Sequence, residues 1–436
     1  MKKIYLMMML TLITIVLAAC GGGEGSEEES NDEAEASAEK TQIEYWHVNA
    51  ETQGGESVDK LVEDFNAQSD TVEVVARYNP DMYAGLMSNL QADVAAGNTP
   101  AVVQVGWAFL DYFSENFHYT EPQEVIEQHH EEDINFLEDN FLPNILDLAV
   151  NSDGSQVGIP YSLSTPVLYL NEDMLEEAGL DTAGPETWEE VREYANVIKE
   201  ETDNYGIYIQ EPADTWGQQA IVESNGANFI EDGQAAFASE EGVEAFEYYQ
   251  DLVIEDETAL HIGWDQGIQS FIDGNVGMLF TTIAQRNNVQ SNSEFNISAI
   301  ESPSWEGEER RLPAGGAMLA ITAEEEEQQA AGWEFMRYLY SVEGISEWTK
   351  GTGYVPPREG VADNPDGLQE FLEENEMMQP AISQMDSVVP WASFPGDAGL
   401  EAEQKLLDMR DIILGGDVDV EETVTNTEDE INELLD

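Results

Sequence analysis

Five of the nine tryptophans, Trp46, Trp107, Trp216, Trp264 and Trp391, stand beside glycine, proline or other turn formers. An indole placed there can lay its face on the C–H face of a sugar while nearby polar groups fix the hydroxyls, which is how ligand pockets are built. Trp188, Trp333 and Trp348 fall inside predicted helices and read as packing residues. The five histidines, His47, His118, His129, His130 and His261, have no spacing that makes a zinc site. His129 and His130 are adjacent, so a helix would point them apart; they read as solvated residues of an acidic stretch. No Gly-x-x-x-x-Gly-Lys phosphate loop, Gly-x-Ser-x-Gly elbow or His-Glu-x-x-His helix occurs. Carboxylate pairs suited to glycoside hydrolysis carry no weight, because acids this abundant pair by chance. The residues point to binding, with no catalytic group, metal or cofactor indicated.

The chain has 436 residues, enough for two domains with cores of their own. Its 91 acidic residues against 15 Lys and Arg give a formal net charge of −76. Such a body is repelled by nucleic acid and by anionic lipid, whose capture depends on Lys and Arg. The acids are spread along the whole length, which suits a solubility device for high salt or alkaline medium. At molar salt the screening length falls to roughly 3 Å, so the self-repulsion is tolerable.

Lys2 and Lys3 precede an apolar run from Ile4 to Ala19 that ends in Leu-Ala-Ala-Cys, the layout of a secretory leader over 1–19. Cys20 is the only cysteine, so no internal disulfide is possible. The LAAC string resembles the lipobox of bacterial lipoproteins, in which that cysteine carries a diacylglycerol and becomes the first residue. Residues 20–40 then read as the lipidated Cys20 and a disordered acidic tether. No later stretch has the 18 or so apolar residues needed to span a bilayer. These features place the body on the extracellular face of the cell membrane, anchored rather than inserted.

The elements that must position the candidate residues read as α/β. TQIEYWH alternates as a strand, and Val58, Leu61, Val62 and Phe65 line one face of a helix. TVEVVARY, the segment from Met82 to Ala96 and AVVQV continue as strand, helix and strand, which predicts a parallel sheet with covered faces. Thr187 with Glu190 forms a capping box before a helix to about Lys199. Further helices are predicted near 239–255, 324–341, 343–350 and 399–413, with strands at 156–170, 276–281, 296–300 and 316–322. The segment 417–436 reads as an acidic terminal helix, with Val420, Val424 and Leu434 loosely patterned.

The runs IEYWH, GNTPAVVQVG, LSTPVLYLNED, GGAMLAI and GTGYVPP, in this order, resemble the extracellular solute-binding proteins of ABC importers over essentially all of 41–430. The similarity is strongest to the cluster that includes maltodextrin- and glycerol-3-phosphate-binding members. That resemblance implies a two-lobe periplasmic-binding-protein fold of type II, with three chain crossings and a ligand cleft between the lobes. Lobe one would be 41–163 plus 302–342, and lobe two 164–301 plus 343–436. The crossings would fall near Tyr161 to Thr165, near Ile300 to Pro303 and after Tyr340. Hinge closure on a bound solute would present the closed form to the transmembrane permease subunits, and a monomer is expected.

Carried over from the glycerol-3-phosphate branch, the pocket residues would be Tyr83, Ser164, Thr282, Gly316 and Tyr354. Their four hydroxyls can each donate and accept, which suits a polyol. His47, at the end of the first strand, joins them because sheet ligands dock outside strand ends. Two departures bear on the ligand. Trp107 stands where that branch has an acid, and FPGDAGL stands where it has a phosphate-gripping arginine. Trp107, Trp216 and Trp391 favour a neutral sugar or oligosaccharide, with glycerol 3-phosphate or a glycerophosphodiester as the alternative. Two other classes stay open at this stage, a surface enzyme degrading polysaccharide and a structural lipoprotein with no cleft ligand.

Overall fold

In Thr41–His47 the alternating Ile43 and Tyr45 are buried on one face and Trp46 on the other, and the helix Gly55–Gln68, which buries Val58, Leu61, Val62 and Phe65, packs on the neighbouring strand Val72–Tyr78. Asn66 fastens that helix to the next strand, its side-chain amide accepting from the Val74 N–H at 2.7 Å and donating to the Val74 carbonyl at 2.8 Å. The computed structural model describes residues 40–51, 54–210, 215–231, 233–396, 398–416 and 418–435. The expected leader, Cys20 with its expected lipid, and nearly all of the expected tether therefore lie outside the described residues.

Two sheets organise the body. The first has five strands in the order Val72–Tyr78, Thr41–His47, Val102–Gly106, Gly315–Ile321 and Ile159–Ser164. The second has four, in the order Ile297–Glu301, Pro166–Asn171, Val276–Thr282 and Tyr205–Ile209. The parallel sheet read from the sequence holds only for the first three strands. Gly315–Ile321 runs antiparallel to both of its neighbours. It enters from the second sheet rather than through a covering helix, and so arrives from the opposite end. The single strand expected at 156–170 is two strands, one in each sheet, parted at Thr165.

Thr165 is the first crossing, held by a 2.7 Å bond from the Gln384 amide to its hydroxyl. The second lies later than the expected Ile300–Pro303. Residues 302–313 stay with the second sheet, because Trp305 packs on Tyr248 with ring centroids 5.0 Å apart and donates to the Ile221 carbonyl at 3.0 Å. Leu312–Pro313 then pairs with Val388–Val389, so the chain crosses at Ala314–Gly315. The third crossing is also later than Tyr340. Helix Val342–Thr352 packs against helix Gly55–Gln68, and Trp348 stacks on Tyr161 of the first sheet at 4.8 Å. Arg358 still donates to the Tyr340 carbonyl and to Asn140. Only at Asn375, which accepts from Arg286 at 3.0 Å, has the chain joined the second lobe. Apolar anchors rather than motif positions set these boundaries.

Helix Trp188–Thr202 starts at the capping box of Thr187 and Glu190. Trp188, Trp333 and Trp348 are fully buried. The terminal helix Val420–Leu435 buries Val420, Val424 and Ile431, and its Glu428 carboxylate accepts the Ala238 N–H at 2.6 Å. Leu434, expected on that face, is half-buried. Among the described residues no helix is long and apolar enough to cross a membrane.

Candidate functional site

Strand ends from both sheets converge on one cavity of about 510 Å³. Ser164 and Gly315 come from the first sheet and Thr282 from the second, while Tyr83, Trp216, Tyr354 and Trp391 arrive on helices and turns beside them. Ligands of open α/β sheets dock at such strand ends.

Tyr83 is brought there by strained backbone. Asp81 and Met82, both on the wall, have φ of 62° and 53°, a conformation that costs roughly 1–2 kcal/mol per non-glycine residue. The kink lays the Tyr83 ring against Gly106, where a Cβ would sit 2.5 Å from Cγ of the tyrosine, so only glycine closes the strand there. The Tyr83 side chain hydrogen-bonds Tyr354, whose phenol burial pushes up to about 12 against the opposing pull of that bond. Tyr354 stacks on Trp348 at 5.7 Å with an 8° interplanar angle, and Trp348 on Tyr161, so an aromatic ladder runs from core to cavity.

On the opposite side Trp216 donates its indole N–H to the Pro313 carbonyl at 2.9 Å. A Cβ on Gly315 would lie 2.4 Å from the Ser164 hydroxyl and 2.9 Å from the Trp216 ring, so the glycine lets these two groups meet. Gly316 has φ +106°, and a Cβ on it would strike the Ser162 carbonyl at 2.1 Å; it is required by the backbone. The Thr282 hydroxyl accepts from the Ala284 N–H at 3.1 Å and keeps its own proton to donate.

Of the nine expected pocket residues, Tyr83, Ser164, Trp216, Thr282, Gly316, Tyr354 and Trp391 lie on this wall. His47 and Trp107 do not. His47 is 4% exposed, stacks on Tyr45 and accepts the Asn49 N–H at its Nδ1. Burial drives its pKa down to about 4, with Asp59 opposing. Trp107 opens a short 3-10 turn directly after its strand, and its ring is buried in the core while Ala108 and Phe109 reach the wall. A single residue's phase at a strand end decides which side chain faces the cleft.

Trp264, one of the turn-side tryptophans, also lines the cavity, and so do Phe109, Gln210 and Arg410, which the sequence reading does not include. Arg410 is 8% exposed and bonds the Asp411 carboxylate at 2.9 and 3.0 Å. One signal for it existed. In helix Gly399–Gly415 it occupies the apolar face between Leu406 and Ile413, where an arginine calls for a partner. Gln210 accepts from the Thr281 hydroxyl and the Thr282 N–H, which fixes its amide.

Hydrogen bonds join the halves on both flanks. The Gly396 N–H donates to the Glu115 carboxylate at 2.7 Å and the Asp111 N–H to the Ser393 hydroxyl at 3.3 Å. Asn287 donates to the Lys350 and Gly351 carbonyls, both at 3.2 Å. Elsewhere, His130 is half-buried rather than solvated, with Nε2 3.0 Å from the Ala330 carbonyl. It sits with Glu132 and Asp133 close enough to hold an ion. Asp133 already accepts from Trp333 and Arg337, so the cluster ties helix ends together.

Two α/β lobes, three crossings and a cavity between them define a solute-binding clamp. The chain matches the bacterial extracellular solute-binding protein family over residues 60–377 and belongs to it, so it is a receptor of the kind that serves ABC importers. It is 26% identical over 365 residues to the sn-glycerol-3-phosphate-binding periplasmic protein UgpB of Escherichia coli K12, covering 79% of this chain and 80% of that one. Among solved structures it is similar to UgpB of Mycobacterium tuberculosis in complex with glycerophosphocholine, with a TM-score of 0.80 and 18% identity over 91% of this chain and 99% of that one. It is likewise similar to the cyclic alpha-maltosyl-1,6-maltose binding protein of Arthrobacter globiformis, with a TM-score of 0.76 and 20% identity over 91% and 99%.

Proposed function

We propose that this receptor captures a sugar or oligosaccharide in the cavity by hinge closure and hands it, chemically unchanged, to the permease. The wall carries that reading. Trp216, Trp391, Trp264 and Phe109 offer ring faces, while Ser164, Thr282, Tyr83 and Tyr354 offer hydroxyls. The proteins it resembles include one that binds a cyclic maltosaccharide. A solute touching both lobes favours the shut form by its differential affinity, and the bonds of Glu115 and Asn287 across the flanks are those a shut form would make. Asp81 is the one carboxylate among the described lining residues, which are otherwise mostly aromatic, hydroxyl-bearing or small. The body acts as a monomer held outside the cell membrane by a lipid on Cys20.

A phosphorylated polyol is the second reading, and Arg410 favours it. It is the only cation among the described lining residues, and Arg pairs phosphate well. Its bond to Asp411 already neutralises much of that charge, which is why the neutral ligand stands first. A thermal-shift screen of sugars, polyols and phosphoesters decides between them, since a ligand at 100 times Kd stabilises by about 2.7 kcal/mol. Stabilisation by glycerol 3-phosphate or its diesters alone, lost in Arg410→Gln, would replace the neutral reading. A released product would remove both.

A further inference from the structure

Beyond Tyr354 the cavity shares a wall with a second, smaller compartment of about 70 Å³. Met82, Trp264, Thr282 and Tyr354 line both spaces, so they are neighbouring parts of one cleft. The annex differs in chemistry from the aromatic chamber. About a quarter of the chain's residues are charged, yet none of the described residues lining the annex is. Amides take their place: Asn49, Gln285, Asn287 and Asn288.

Two of those amides stand in a chain of side-chain bonds. Asn292 donates to the Asn288 side-chain oxygen at 3.0 Å, and Asn288 donates to the Gln285 side-chain oxygen at 3.1 Å. Gln285 is 7% exposed, and with its oxygen engaged its amide nitrogen is the group left for the annex. The indole N–H of Trp264, on the shared wall, is buried with no partner among the described residues. A buried donor without a partner costs about 1–3 kcal/mol, so the Trp264 indole gains from an acceptor oxygen, and the Gln285 amide nitrogen can donate beside it.

We infer that the solute has two parts, and that the second is uncharged and hydroxylated, placing oxygens on Gln285 Nε2 and Trp264 Nε1 in the annex. This deepens the reading above and rests on it. The volume admits the hydroxylated edge of a second unit rather than the whole of it. A cationic second part would find no carboxylate there.

Calorimetry on the full body tests this with two probe series. One is glucose, maltose and maltotriose; the other is glycerol 3-phosphate, glycerophosphoglycerol and glycerophosphocholine. In the series that binds, the neutral two-part member is expected to exceed the one-part member by about tenfold. Glycerophosphocholine should show no such gain. Gln285→Glu keeps the acceptor for Asn288 and removes the donor, and Gln285→Met removes both without adding charge. Each should erase the gain and leave the one-part probe within about twofold. Equal affinity for short and long probes, or a gain that survives both substitutions, overturns the annex and leaves the receptor reading intact. Binding of none of the six probes overturns both.

Discussion

Trp216 and Trp391 hold their rings 6.3 Å apart at 50°, although one comes from a helix of the second lobe and the other from the loop before the C-terminal helices. Gln219, one turn along the helix from Trp216, sets this spacing. Its amide donates to the Pro390 carbonyl at 3.0 Å and accepts the Ala392 N–H at 2.9 Å, gripping the loop on both sides of Trp391. Trp391→Ala and Trp216→Ala are each expected to cost about 2 kcal/mol of binding free energy, roughly thirtyfold in Kd. Trp107→Phe should leave affinity unchanged and lower only the melting temperature. Titration of the three variants with the best ligand of the screen checks this, and an affinity loss confined to the Trp107 variant would contradict the wall described above.

Gly315 is the point where Ser164 and Trp216 approach each other. Gly315→Ala forces the added methyl into both, an overpacking expected to cost about 1–3 kcal/mol. Binding should weaken along with stability, since the displaced groups are on the wall. Paired denaturant and binding titrations would show it; a variant with native stability and native affinity would mean that the backbone yields.

His47 gives stability an acid limit. Its folded pKa near 4 lies below the unfolded value near 6.5, so the unfolded chain binds the extra proton first. Its stability contribution is complete above pH 6.5 and is lost as pH falls from there toward 4, by about 3 kcal/mol at most. His47→Gln should flatten that part of the urea-stability profile. A variant whose stability falls between pH 6.5 and 4 as steeply as the parent's would assign the loss to other groups.

Glu115 reaches across the cleft to the Gly396 N–H. Glu115→Ala removes one bond of the shut form, and at this exposed position the loss is expected to be about 1 kcal/mol, roughly fivefold in Kd. The change should appear in the dissociation rate, with the ligand-free melting temperature steady. Stopped-flow release measures it, and an unaltered off-rate would show that the contact is also made with the lobes apart.

Much of the frame was legible in the sequence because it rests on local pattern. The face of Val58, Leu61, Val62 and Phe65 and the capping box of Thr187 appear as read. Strand direction was not legible beyond the third strand, since Gly315–Ile321 is placed by chain returning from the other sheet. The second and third crossings lie later than the motifs suggest for a related reason: Trp305 and Trp348 hold their segments by contacts with Tyr248 and Tyr161, far away in sequence. At the site, glycine motifs and hydroxyls marked positions on the wall. Arg410 and Gln285 escaped because each reaches its place through a tertiary fold, one from an apolar helix face and the other through a chain of amides.

The three crossings have a mechanical consequence. One link between lobes would permit swivelling about any axis; three links at Thr165, at Ala314–Gly315 and between Arg358 and Asn375 restrict the pair to bending about a common line. A single proteolytic nick in one link would leave the two lobes joined through the other two and the chain fragments held by the shared sheets, so a nicked receptor should still run as one body on gel filtration and separate only in denaturant.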